Sequence, residues 1–129
     1  MRFLLDTHAL LWALAEPQRL SARAAALIKS PTNEVVVSAA SAWEIATKFR
    51  LGRLPGAGPI VAGFAAHLAT LRAEDLPIRS IHALRAGSFV LEHRDPFDRM
   101  LAAQAMLEGV PLLTDDPAFS AFPELETLW

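Results

Sequence analysis

A chain of 129 residues has the length of one domain, predicted to span 1–129, and can bury about two-thirds of its unfolded surface without a metal or crosslink. It has no cysteine, which excludes a disulfide framework, a thiol nucleophile and cysteine-ligated zinc or iron–sulfur centres. With 53% apolar residues, 20% charged residues and a net charge of −2, it is neither disordered nor an overtly basic nucleic-acid binder.

Alanine and leucine fill 44 positions, so helix should predominate. Phe3-Leu4-Leu5 is apolar throughout, as a strand buried on both faces is, and a helix is predicted over 8–15. Asp6 and His8 interrupt this apolar start and no cleavage pattern follows, so it does not read as a signal peptide. A helix over 21–29 leads to a second strand at Val35-Val36-Val37. The next helix, 41–51, stops at Gly52. Ile60, Phe64, Leu68 and Leu71 recur at helical spacing and predict one helix over 59–71. Leu76-Pro77-Ile78 is a weaker strand candidate, followed by a helix over 80–87 ending at Gly87. The last helix, 98–108, ends at Gly109, before a third strand at Leu112-Leu113 and a terminal edge strand over 126–129. Strands alternating with helices imply an α/β fold with a parallel sheet covered on both faces. No run approaches the roughly 18 consecutive apolar residues of a membrane span, and the expected location is the cytoplasm.

Charge is unevenly distributed. Residues 1–44 balance to zero, 45–91 carry +4 and 92–129 carry −6. This pattern suits an acidic, cation-filled site beside a polyanion track; it suits ordinary solvated faces as well.

Parallel α/β sheets bind ligands outside the carboxyl ends of their strands. Asp6-Thr7 follows the first strand. Ser38, then Ser41 and Glu44, follow the second. Thr114-Asp115-Asp116 follows the third, and Asp95 and Asp98 flank the start of the helix before it. Each has a structural alternative. Ser41-Ala42-Trp43-Glu44 matches a capping box. Asp95-Pro96 and Asp116-Pro117 match an Asp N-cap followed by proline, and Asp6 can cap its own helix. Taken together they ask for more, because caps need one short polar side chain per helix and not carboxylates from four segments on one rim. Crowded anions repel, and a divalent cation with oxygen ligands relieves that repulsion. His8, His67, His82 and His93 are scattered without a zinc spacing. No glycine-rich phosphate loop and no GxSxG elbow occurs.

Four stretches, DTHALLWAL (6–14), SAASAWEIATKFRLGRL (38–54), HRDPFDRMLAAQA (93–105) and VPLLTDDPAF (110–119), resemble the PIN-domain family, and more narrowly the VapC-type ribonuclease toxins of toxin–antitoxin pairs. They keep the family's order across nearly the whole chain. The resemblance implies a three-layer α/β/α sandwich with a central, mainly parallel sheet. It further implies a Mg²⁺- or Mn²⁺-dependent endoribonuclease, a cognate antitoxin, and a homodimer or toxin–antitoxin hetero-oligomer. It places the family's catalytic, metal-holding acids on Asp6, Glu44, Asp98 and Asp116, with Asp115 as the competitor for the last position and Asp95 left as a cap. Thr7 and Thr114 match the family's supporting hydroxyls, whose alternative role is in turns and caps.

In such a site a carboxylate, Glu44 or Asp116, would take the proton from the attacking water. Lys48 and Arg99 are candidates for phosphate contact. Their alternatives are solvated helix charges and, for Lys48, an i,i+4 pair with Glu44. Leu10, Leu11, Trp12 and Leu14 exceed what a simple amphipathic face needs, serving either the core or a partner. Trp43 reads as a packing anchor. Two other classes remain open on the sequence: a catalytically silent RNA- or protein-binding module, and a metal-dependent phosphatase or phospho-acceptor domain.

Overall fold

The computed structural model describes all 129 residues. Five strands, β1 (Arg2–Leu5), β2 (Glu34–Ser38), β3 (Glu74–Leu76), β4 (Leu112–Leu113) and β5 (Thr127–Leu128), form one sheet in the order β3-β2-β1-β4-β5. Every pairing is parallel. Parallel strands need crossovers, and seven helices supply the cover: α1 (Thr7–Ala15), α2 (Ala22–Lys29), α3 (Ala39–Arg50), α4 (Gly58–Ala62), α5 (Phe64–Thr70), α6 (Ser80–Ser88) and α7 (Pro96–Glu108).

Alternation along the strands sorts the core into two layers. Phe3, Leu5, Val35, Val37 and Leu113 face one side, packing with Leu10 of α1, Ile28 of α2, Ile45 of α3, Ile60 of α4 and Leu68 of α5. Leu4, Val36, Leu76 and Leu112 face the other, against Leu101, Ala102 and Ala105 of α7 and against Phe119 and Phe122. The result is the expected three-layer sandwich, with a sheet that is wholly parallel. β1 lies at its centre and is apolar on both faces, as its sequence required.

Three local expectations are corrected. The 59–71 segment is two helices, because α4 ends at Gly63, whose φ of −127° and ψ of 41° leave the helical region. The third strand is Glu74–Leu76 rather than 76–78: Leu76 pairs with Ser38, and Pro77 has no amide hydrogen to extend the ladder. The third helix begins at Ala39 instead of 41, because Ser38, the last residue of β2, is its cap and accepts a hydrogen bond from the Ala40 amide. The Ser41–Glu44 capping box is therefore not formed. The remaining boundaries fall within two residues of expectation. Gly52 and Gly109 follow α3 and α7 with positive φ, the left-handed stop that glycine adopts freely. No helix is long and apolar enough to cross a membrane.

Candidate active site on the carboxyl rim of the sheet

In the order β3-β2-β1-β4-β5, the connection from β1 runs to β2 on one side and the connection from β4 runs to β5 on the other, opening a crevice at the carboxyl ends of β1 and β4. Asp6 and Thr114 are the first residues beyond those two ends. The Asp6 amide donates to the Leu113 carbonyl at 3.1 Å, so the ladder itself fixes the carboxylate at the crevice.

Asp6 is only 3% exposed. One carboxylate oxygen accepts from the Ala9 amide at 2.6 Å, capping α1; the other accepts from the Thr114 hydroxyl. Cap and site residue are thus the same side chain. Thr114 in turn accepts from the Asp116 amide at 3.0 Å, which links β1 to the turn that follows β4.

A second hydroxyl pair serves Glu44, also 3% exposed. Thr7 donates to Glu44 Oε1 at 2.6 Å. Because the Thr7 hydrogen is committed there, Ser41 Oγ, 3.0 Å away, is the donor to Thr7. Glu44 Oε2 accepts from Lys48, its i,i+4 neighbour on α3. Ser41 and Glu44 lie one turn apart on the face of α3 turned toward α1. That shared face was the sequence signal for Ser41, obscured by reading the pair as a capping box.

Asp98 stands on the first turn of α7, whose N-cap is Asp95, as expected: Asp95 accepts from the Phe97 and Asp98 amides at 2.9 and 3.1 Å. The Asp98 carboxylate meets His93 Nε2 at 3.0 Å. His93 has no zinc spacing to the other histidines, and its signal in the sequence is its place five residues before Asp98, in the stretch that carries the acid. Asp116 caps the 3₁₀ turn Pro117–Ala121 by accepting from the Ala118 amide at 2.9 Å and is partly buried, whereas Asp115 is exposed.

Burial raises the pKa of Asp6, opposed mainly by the hydrogen bond from Thr114. Burial, with Asp95 and Glu44 adding negative charge, raises Asp98 to about 6 against the pull of His93. Across segments, Asp98 thus senses Glu44 on α3, and Asp6 senses Asp115 beyond β4.

The donor set fits a hard divalent cation: carboxylates and hydroxyls, with no sulfur. No three Asp, Glu or His side chains converge into a ready cage. Each carboxylate is turned onto a protein partner instead: Asp6 onto Thr114, Glu44 onto Lys48, Asp98 onto His93 and Asp116 onto a backbone amide.

A groove of about 320 Å³ opens beside Thr7 and Glu44 and is lined by His8, Leu11, Lys48 and Arg53. It shares His8, Leu11 and Arg53 with a second groove of about 370 Å³ that runs along α1 past Trp12 to Arg19. Arg53 and His8 were not singled out in the sequence. Trp12 is sandwiched instead of free: Arg19 lies 4.6 Å over its ring and Trp129 meets it edge-on. Trp43 packs edge-on against Phe97 at 4.8 Å, yet remains 57% exposed. Arg99 has its guanidinium on backbone carbonyls: Ala86 and His93 at 2.9 Å, and Phe89 at 2.8 Å.

Comparison with known proteins gives the family and the fold. The PIN domain profile matches residues 3–125. Ribonuclease VapC22 of Mycobacterium tuberculosis is 33% identical over 131 residues, covering 98% of this chain and 97% of that protein. Among solved structures, VapBC2 from Rickettsia felis bound to a DNA fragment from their promoter aligns with a TM-score of 0.67 at 16% identity, covering 99% of this chain and 98% of that one. VapBC-1 from nontypeable Haemophilus influenzae aligns at 0.64 with 19% identity, covering 99% and 97%. The two structural likenesses concern the fold.

Proposed function

Because this chain belongs to the PIN-domain family, we propose that it is a metal-dependent endoribonuclease and the toxin of a toxin–antitoxin pair, acting as a single domain in the cytoplasm. The observation that carries this reading is the pair of nearly inaccessible carboxylates, Asp6 and Glu44, each held by a threonine hydroxyl on the carboxyl side of the sheet. Keeping such anions buried costs stability, and a fold tolerates the cost where the charge has work to do.

Asp6, Glu44, Asp98 and Asp116 would hold one or two divalent ions, Mg²⁺ or Mn²⁺. When bound, such an ion supplies an activated water at neutral pH and offsets charge on the phosphoryl oxygens. The chain's own groups do the rest. Thr114 fixes one oxygen of Asp6, leaving the carboxylate little rotational freedom. Thr7 and Ser41 do the same for Glu44, so both acids are oriented before substrate arrives. Lys48 neutralises Glu44 in the free protein and lines the groove, placing it to exchange that partner for an RNA phosphate. Glu44 or Asp116 would take the proton of the attacking water. A cognate antitoxin and a second copy of the chain are the expected protein partners.

The test is incubation of the purified protein with a pool of cellular RNA, with and without Mg²⁺. The expected result is Mg²⁺-dependent fragmentation, abolished by chelator and by Asp6→Asn or Asp98→Asn in folded protein. Undiminished cleavage by either variant, or in excess chelator, sinks the proposal.

A further inference from the structure

Between α6 and α7 the chain runs from Phe89 to Asp95 without regular structure, and this connection carries His93 to Asp98. Such a segment has no ladder to hold it, so its carbonyls need other donors. Arg99 provides them. Its Nε donates to Ala86 at 2.9 Å, Nη1 to His93 at 2.9 Å, and Nη2 to Phe89 at 2.8 Å and, more loosely, Gly87 at 3.5 Å. One planar fork thus gathers the end of α6, the start of the connection and the residue just before Arg94. An apolar contact runs in parallel. Phe89 packs edge-on against Phe122 at 5.0 Å, and Phe122 and Phe119 flank the His93 ring at 5.2 and 6.4 Å.

We propose that Arg99 is a positioning residue for the reaction: it pins the 86–93 segment through its carbonyls and thereby holds His93 against Asp98. It acts on the rim from behind and takes no part in binding RNA phosphate. A lysine keeps the charge but is a point donor without the fork, so it cannot span three carbonyls. The consequence for the reaction rests on the nuclease reading; the pin itself does not.

The experiment compares Arg99→Lys, His93→Gln and the double variant with the wild type. Amide hydrogen exchange is followed over 86–95, with cleavage kinetics on an RNA pool in Mg²⁺. For Arg99→Lys the expected result is lost protection confined to the helical part of that segment, 86–88, whose Ala86 and Gly87 carbonyls Arg99 holds. It is accompanied by a kcat loss on the order of 10–100-fold, the usual cost of losing an outer-shell partner, with KM unchanged. His93→Gln should lower kcat similarly while leaving exchange intact, and the double variant should be no slower than the slower single one.

Four results overturn the proposal: wild-type kcat in Arg99→Lys, unchanged exchange over 86–95, multiplicative losses in the double variant, or loss of protection throughout β1 and β2, since the pin is local. Salt dependence of RNA binding by Arg99→Met adds a separate reading. An unchanged slope supports positioning, whereas a slope shallower by about 0.7 marks a lost phosphate contact on single-stranded RNA and overturns it. If the wild type does not cut RNA, exchange over 86–95 still decides the pin.

Discussion

At the rim where the strands begin, Arg2 stands among Glu34, Glu74 and Glu108, with its guanidinium 3.0 Å from Glu74 and 3.7 and 3.8 Å from the other two. At the rim where they end, Asp6 and Glu44 are nearly inaccessible, and Asp98 and Asp116 are partly buried. The first rim places its acids in water around an arginine, where they repel weakly and contribute little. The second draws its acids inward and supplies mostly hydroxyls. Parallel strands explain the division, because every strand of this sheet delivers its last residue to the same edge. What separates the rims is the depth at which carboxylates sit and whether a cation of the chain's own is enough for them.

The largest effect that tests this contrast is on activity. Asp98→Asn and Asp6→Asn should each lower RNA cleavage by on the order of 10²–10³-fold, the scale for removing one preorganised electrostatic group. Glu74→Gln at the opposite rim should leave cleavage unchanged. A second measurement follows thermal unfolding with and without Mg²⁺. The wild type should gain stability as the ion is added, because a ligand of the native state shifts unfolding by mass action. Asp98→Asn should gain much less. Equal gains would place the ion elsewhere.

Next in size are the packing and capping effects. Leu4→Ala or Leu113→Ala, at fully buried positions of β1 and β4, should cost about 2–5 kcal/mol in urea unfolding, whereas exposed Leu84→Ala should stay within about 0.5 kcal/mol. Ser38→Ala removes the cap of α3 and leaves Gln104 without its hydroxyl donor, for a cost of about 0.5–2 kcal/mol.

A further effect is on pH dependence. The folded pKa of Asp98 lies above its ordinary value, at about 6 compared with 3.8. Its contribution to stability is therefore greatest below about pH 4 and is lost as pH rises through 6. In chelator, Asp98→Asn should be more stable than the wild type at pH 7, with the difference shrinking toward pH 4. A difference that grows on acidification would mean that His93 dominates the carboxylate.

Much of this was legible in the sequence for physical reasons. Buried parallel strands have to be apolar on both faces, so Phe3-Leu4-Leu5 and Val35–Val37 announce themselves. The acids follow them because strand ends are where polar side chains can surface. Leu76 was legible as a strand residue but its register was not, since short edge strands take their register from the neighbour they pair with, here Ser38. The break at Gly63 was hidden by a helical period that continues across it. Tertiary bonds were out of reach of spacing: nothing near Arg99 says that its donors reach back 6–13 residues to four carbonyls, and nothing near Thr114 says that it meets Asp6 across 108 residues.

That last separation has a consequence during synthesis. β1, β2 and β3 can pair once residue 76 has emerged, but the place beside β1 stays open until residues 112–113 leave the ribosome. Until then Asp6 lacks the hydroxyl of Thr114, and the turn bearing Asp116 has not docked. A nascent chain that has released residues only up to 111 therefore has its sheet begun and its rim unfinished. The non-local closure that slows folding in parallel sheets also sets the order of events here, with the acidic rim among the last parts of the molecule to form.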